Sequence, residues 1–405
     1  MTVYTSDVAV SLEVGIRILQ EAISPITEIE HVALSDALHR VAGEDITAHI
    51  DNPPFHRSPV DGYALRSVDT ISAGDESPVL LTVVGEICAG AVFEHPVHNG
   101  EAIRIMTGAP IPNGCDAVVP QELVELEGNT ITLCKPLKAY ENYCIAGEDI
   151  KRGTIVIRQG ETLTVAHIGV LATLGHMTVP VYRRLKVALA SIGEELLPMG
   201  APLEAGKVYN SNMYMLQGRL QELGCHVTSI GILSDDVDYV ANALRSIEGD
   251  YDVVITTGAV SVGKKDIMHD VVPLVGEKLF WRLQLKPGSP VLGYRCPHAL
   301  GIALSGNPFA ALATFELLVR PILAHASRNM TVMYKRTSAT MANEFTKLSK
   351  GRRFIRAYYD GQCVTVPEQN SPSSLLSAIN CNALIDVPPG TGPLQIGELV
   401  EIVLL

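Results

Sequence analysis

The chain has one tryptophan, few aromatic residues at 5%, and no C-x-x-C pair among its eight cysteines. Thiols scattered singly exclude the usual paired spacing of a zinc site and argue against a disulfide frame. They fit a reducing compartment, so a cytoplasmic location is expected. No apolar run reaches the roughly 18 residues of a membrane span. The opening stretch MTVYTSDVAVSLEVG carries acids in place of an apolar core, so no signal peptide is expected. Basic residues are outnumbered, 31 Lys and Arg against 44 Asp and Glu, for a net charge of −13. That balance argues against nucleic acid as a partner, because no basic face is visible in the sequence. It does not exclude small anions, which local loops can read whatever the net charge.

What is present is an ordinary core-forming composition, 47% hydrophobic over 405 residues, long enough for two to four domains. The texture changes along the chain. Residues 1–50 read as helical, with SLEVGIRILQEAI at 3–4 apolar spacing. Residues 51–145 become short strands and turns (PVLLTVVGEI, EAIRIMTG, DAVVPQELVELEGNTITL), and residues 146–182 mix turns with an apolar helix, VAHIGVLATLG. Residues 1–50 and 146–182 are therefore expected to form one discontinuous domain, interrupted by an inserted β-rich domain at 51–145. Residues 183–326 alternate strand and helix. The strands LKVALAS, HVTSIGIL, YDVVITTG and ALGIALSG are nearly continuous apolar runs, which predicts a doubly wound α/β domain with its parallel sheet covered on both faces. The first helix should enter through Asn210 or Ser211 and close at Gly224. Residues 327–405 return to β texture as a small C-terminal barrel or sandwich.

In an open parallel sheet, ligands bind beyond the carboxyl ends of the strands. The residues falling there are Gly193, Glu194 and Glu195; Asp235 and Asp236; Gly258 to Asp266; and Ser305, Gly306 and Asn307. In LSGNPFAAL, Asn307 suits an N-cap and Pro308 the first helical position, which is plain capping or an anion-binding helix start. In TTGAVSVGKKD, Gly258 and Gly263 flank Ser261 just after a buried strand, which is a tight turn or a backbone cradle for an oxyanion. Asp235 and Asp236 read individually as complements to the helix that follows. Gathered with the other acids beside phosphate-type loops, they suggest Mg²⁺ bridging carboxylates to phosphate oxygens. In NPPFHRSPVDGYAL, the run Asp61, Gly62, Tyr63 has a bland reading as a rigid entry loop.

These segments, in this order, resemble the molybdopterin molybdenumtransferases, the MoeA family and the E domain of gephyrin-type proteins. The stretches that carry the resemblance are SPVDGYA, RIMTGAPIPNGCDAVV, GEDIKRG, SIGEELL, YNSNMYML, GILSDD, TTGAVSVGKKD, LKPGSP and SGNP, over about residues 50 to 310. The resemblance implies a multidomain α/β plus β fold: a central MogA-like molybdopterin-binding domain, an inserted β domain and a C-terminal β barrel. It implies that molybdate is inserted into adenylylated molybdopterin and AMP is released in a Mg²⁺-dependent hydrolysis. It also implies a homodimer whose site is shared between subunits. The molybdopterin adenylyltransferase and apo-molybdoenzymes would be its further partners.

Carried over by position, the resemblance makes Asp61, Thr107, Glu195 and Asp266 catalytic. It makes Glu195, Asp235, Asp236 and Asp266 the metal-directed acids. Gly258, Ser261, Gly263, Lys286, Pro287, Gly288, Ser305, Gly306, Asn307 and Pro308 become the pterin and phosphate contacts. The departures are local. Ala259 stands where glycine is usual, Lys264 where an acid is usual, Ser305 where proline is usual, and Ala310 where serine is usual. A lysine in place of an acid moves local charge by two units, so Lys264 is expected to weaken cation binding and strengthen anion binding. A divergent binding or carrier protein is the alternative that these changes favour.

Overall fold

The computed structural model describes residues 9–261, 263 and 266–405, which fall into two compact units. One unit comprises His31–Leu38 and Glu44–Val179; the other comprises residues up to Glu30, His39–Gly43 and Pro180–Leu405.

The first unit is built on a six-stranded mixed sheet. Its strands are β1 (Gly62–Leu65), β2 (Val79–Ile87), β3 (Glu101–Ile105), β4 (Ala117–Pro120), β5 (Glu125–Glu127) and β6 (Thr130–Leu133), in the order β4-β1-β3-β2-β6-β5. Side chains alternate across the sheet, so Tyr63 and Leu65 join Leu81 and Ile131 on one face while Ala64 joins Ile103 and Ile105 on the other. β1 is antiparallel to both neighbours and pairs Gly62 with Ile105 and with Pro120. A Cβ at Gly62 would fall 2.0 Å from the Val119 carbonyl oxygen, which explains a glycine at a position where φ alone does not demand one. Elsewhere in this unit, Ile46–Thr47 pairs antiparallel with Ile155–Ile157. The apolar helix read in the sequence runs Val165–Thr173.

The second unit centres on another six-stranded sheet, of β7 (Lys186–Ile192), β8 (His226–Leu233), β9 (Val253–Thr257), β10 (Glu277–Trp281), β11 (Leu292–Arg295) and β12 (Leu300–Leu304), ordered β8-β7-β9-β12-β11-β10. The four strands read from the sequence are parallel to one another, as their continuous apolar runs predict. The hairpin β10–β11 extends the sheet antiparallel at one edge and amends the all-parallel expectation. EKLFW and VLGYR are short and broken by charge and glycine, so they lacked the buried-strand signature.

Both faces are covered. Leu12 and Leu19 of α1 (Leu12–Ala22) pack with Leu189, Ile255 and Ile302 on one side, and Val240 and Leu244 pack with Ala188 and Val254 on the other. Asn210 caps α2 (Ser211–Glu222) by accepting the Met213 N–H at 3.2 Å, and Gly224 leaves it at φ +79. Asp236 caps α3 (Val237–Ile247) through the Tyr239 N–H at 2.7 Å. α4 runs Met268–Val275.

α5 (Pro308–Thr314) continues through a π-turn at Phe315–Val319 into α6 (Arg320–Ala326). The whole run Pro308–Ala326 is, among the described residues, the one helix long and apolar enough to cross a membrane, and 83% of it is buried inside the protein. It is thus occupied as a core helix. Its acid, Glu316, is 1% exposed and is held by Arg219 at 2.6 Å and Arg320 at 2.9 Å, so the buried charge is paired twice.

The chain ends in a closed five-stranded barrel of β13 (Lys335–Met341), β14 (Arg353–Tyr359), β15 (Cys363–Thr365), β16 (Ala383–Val387) and β17 (Leu399–Leu404). Closure leaves no free strand edge. Arg352, just before β14, binds Glu13 of α1 at 2.5 Å and Asp386 of β16 at 2.7 Å, tying barrel and helix together.

Candidate functional site

In the second unit, the loops that leave β7, β9 and β12 at their carboxyl ends form one wall of a cavity of about 1050 Å³. That wall carries Glu195, Gly258, Ala259, Val260, Ser261, Asp266, Ser305, Gly306 and Asn307. Beside it stand Lys286, Pro287 and Gly288. The far wall comes from the barrel and its loops, and it brings Lys347, Arg353 and Arg356.

Local physics explains the shape of the near wall. β9 ends in the buried Thr256 and Thr257, and the Thr257 hydroxyl meets Ser191 Oγ at 2.9 Å, which is in turn 3.1 Å from Asn210 Oδ1. The same Asn210 thus caps α2 and locks two strands beneath the site. Gly258 then turns the chain at φ +92, and its N–H donates to the Leu304 carbonyl at 3.0 Å. The β12 loop is held from behind, where the Asn212 amide donates to the Gly306 carbonyl at 2.9 Å. Asn307 caps α5 with its backbone only, since no side-chain cap bond forms, and its N–H reaches Ser305 Oγ at 3.3 Å. Gly288 sits at φ +89 against α5, where a Cβ would fall 1.9 Å from Thr314 Oγ1. The Lys286–Pro287 peptide is cis.

Ala259 follows Gly258 in the left-handed region at φ 54. Such a conformation costs a non-glycine residue about 1–2 kcal/mol, offset in part by the roughly 0.5–1 kcal/mol of extra chain entropy that glycine would lose. Ala259→Gly is therefore expected to raise stability by about 0.5–1 kcal/mol, read as a shift of the urea midpoint at unchanged slope. A loss of stability would show that the methyl group packs better than the backbone strains.

The carboxylates are arranged unequally. Glu195 is exposed and folds back over Gly193, where a Cβ would fall 2.7 Å from Glu195 Oε2. Asp266 is half-buried and accepts the Gly263 N–H. Asp236 is engaged in capping α3, and Asp235 Oδ2 accepts the Glu194 N–H at 3.4 Å; neither lies on the cavity wall. Gly263 and Pro308 also stand off the wall, while Lys264 and Lys265 lie outside the described residues. Among the described residues, no three of His, Cys, Asp and Glu converge as a ready-made metal site.

The far wall was missed in the sequence. Arg356 is 1% exposed, its guanidinium 3.5 Å from the Phe309 ring centroid. It donates to the Ser374 and Ser371 carbonyls and to Ser377 Oγ at 2.8 Å, while its Nε has no partner. Burial lowers its basicity. The signal was the run GRRFIR, which sets three arginines around Phe354 and Ile355 at the start of what became a barrel strand.

Asp61 and Thr107 belong to the other unit and meet for a simple reason: each adjoins one end of the paired strands β1 and β3. Asp61 Oδ1 accepts both the Thr107 N–H and its hydroxyl, each at 2.7 Å. These bonds hold the exposed Asp61 carboxyl below the usual carboxylate range, so it stays ionised through neutral and mildly acidic pH.

Comparison with known proteins bears on the whole chain. Residues 10–175 match the MoeA N-terminal region (domain I and II), residues 188–325 a probable molybdopterin binding domain, and residues 338–405 the MoeA C-terminal region (domain IV). A molybdopterin molybdenumtransferase of Bacillus subtilis is 37% identical over 387 residues, covering 93% of this chain and 90% of that protein. One from Staphylococcus aureus is 36% identical over 379 residues, covering 92% and 90%. Two solved structures of the molybdopterin biosynthesis MoeA protein from Pyrococcus horikoshii superpose with TM-scores of 0.87 and 0.82. Both are 30% identical and cover 98% of this chain, and the match spans 99% and 100% of theirs.

Proposed function

Since the chain belongs to the molybdopterin molybdenumtransferase (MoeA) family, we propose that it inserts molybdate into adenylylated molybdopterin and releases AMP, within molybdenum cofactor biosynthesis. The observation that carries the reading is the cavity, which gathers backbone cradles, three carboxylates (Glu195, Asp266 and Glu368) and four cationic side chains. A nucleotide-linked pterin and an oxyanion are both anionic, and both need such a surface.

The residues divide the work by chemistry. Lys286, Lys347, Arg353 and Arg356 hold phosphate and molybdate oxygens, and a bound anion offsets the burial of the Arg356 guanidinium. Ser261, on the cavity wall, adds a neutral donor. Asp61, kept ionised by Thr107, orients the attacking water and takes its proton.

The acids fit Mg²⁺ in the manner usual for phosphate chemistry, where one or two carboxylates suffice and substrate oxygens and water complete the shell. Glu195 and Asp266 would hold it, and when bound it would neutralise charge on the phosphate oxygens. We further propose a cytoplasmic homodimer in which Asp61 and Thr107 of one subunit serve the cavity of the other. Within each chain we propose four domains: residues 1–50 with 146–182, 51–145, 183–326 and 327–405. The molybdopterin adenylyltransferase and apo-molybdoenzymes are the partners this role calls for.

The test is AMP release from adenylylated molybdopterin with molybdate and Mg²⁺. Turnover that depends on both additions is the expected result. Tight binding of the substrate without AMP release would favour a carrier, the reading to which Ala310, on the cavity wall where a hydroxyl is usual, lends support.

A further inference from the structure

Trp281, the only tryptophan of the chain, ends β10 at the edge of the sheet, and its indole N–H donates to the Val260 carbonyl at 3.2 Å. Val260 is 2% exposed and is flanked by Ala259 and Ser261, all three on the cavity wall. Two other bonds hold the same loop, from the Gly258 N–H to the Leu304 carbonyl and from the Met268 N–H to the Ala259 carbonyl, each at 3.0 Å. Both of those are backbone bonds that any sequence would make. Among the described residues, the Asp266 carboxylate adds a side-chain bond from within the loop, to the Gly263 N–H, and the indole adds one from outside it. The indole is itself clamped: the His269 ring stands edge-on to it at 4.5 Å and 90°, and the Arg282 guanidinium lies 4.7 Å from its ring centroid. None of these three rings and cations lines the cavity.

We propose that Trp281 is a positioning residue, fixing the Val260 carbonyl so that the glycine loop is set in its binding form before a ligand arrives. The inference rests on the transferase reading for its substrate. A loop that visits its binding form for a fraction f of the time weakens apparent affinity by 1/f and leaves the bound complex unchanged. Loss of one neutral hydrogen bond lowers such a fraction by up to about tenfold. The signature is then a rise in KM at constant kcat.

Trp281→Phe keeps a ring between His269 and Arg282 and removes only the donor. Its KM for adenylylated molybdopterin is expected to rise about 3- to 10-fold, with kcat within about twofold of wild type. AMP affinity, measured by calorimetry without turnover, should fall by the same factor.

The outcomes separate cleanly. A wild type that binds AMP more tightly than Trp281→Phe yet never releases it from substrate would remove the transferase reading and leave the positioning role standing. Equal KM and equal AMP affinity in the two proteins would overturn the positioning role, as would a fall in kcat at constant KM. Should Trp281→Phe fail to fold, Trp281→Leu is the second variant, and KM and AMP affinity equal to wild type there would overturn the positioning role in the same way. Absence of AMP binding by the wild type overturns both.

Discussion

Asp61→Asn is expected to lower AMP release by about 100-fold or more while leaving the protein folded. Asparagine keeps an Oδ1 that can accept both Thr107 bonds, so the link between the ends of β1 and β3 survives. The position is exposed, and substitutions there ordinarily stay within about 0.5 kcal/mol. What disappears is the charge, and a positioned acid or base contributes about 10²–10⁴-fold to rate. Urea unfolding and AMP release measured on the same preparation separate the two effects. Turnover near that of wild type would return SPVDGYA to the role of a rigid entry loop. Co-expressing Asp61→Asn with Asp266→Asn adds a test of the proposed dimer. In a mixed dimer one site carries both lesions and the other neither, so activity above that of either parent is expected only if each site draws on two subunits.

The second large effect is expected at Gly258. A Cβ there would fall 2.2 Å from the Ile192 carbonyl oxygen, on a backbone at φ +92. Neither partner is a flexible side chain, so the loop itself must move away from β7. Gly258→Ala is expected to destabilise the unit by about 2–4 kcal/mol, through backbone strain of roughly 1–3 kcal/mol plus the displaced loop, and to abolish measurable AMP release. Gly306→Ala is the control. Its Cβ would meet nothing closer than Gly258 Cα at 3.5 Å, an ordinary contact, so its loss of stability should stay within about 1 kcal/mol. Equal losses in both variants would sink the argument from the Ile192 carbonyl.

These two glycines also show what the sequence could and could not convey. Gly258 followed a buried apolar strand, and that context was enough to place it at a strand's carboxyl end. The four parallel strands were legible for the same reason, since a strand buried on both faces leaves an unbroken apolar run. The antiparallel hairpin β10–β11 was not, because at an edge Lys278 and Arg295 can face solvent and the run is interrupted. For the site, the loops after β7, β9 and β12 were found by topology. The far wall needed tertiary information: Arg356 meets Phe309 across a sequence gap of 47 residues, and no local pattern records that contact. Asp236 went the other way: its local reading was as a complement to the helix that follows, and the structure makes it that helix's cap.

The cationic wall has a consequence for the kinetics of capture. Lys286, Lys347, Arg353 and Arg356 outnumber Glu195, Asp266 and Glu368 on the cavity lining, a small positive island in a chain of net charge −13. An approaching anion feels the whole protein when the screening length is long, about 30 Å at 0.01 M ionic strength, and mostly the island when it is short, about 8 Å at 0.15 M. Dilute buffer therefore slows the arrival of anions, and moderate salt speeds it, the reverse of ordinary electrostatic steering. The island works as a short-range gate: it discriminates among anions already at the mouth and does nothing to gather them from solution.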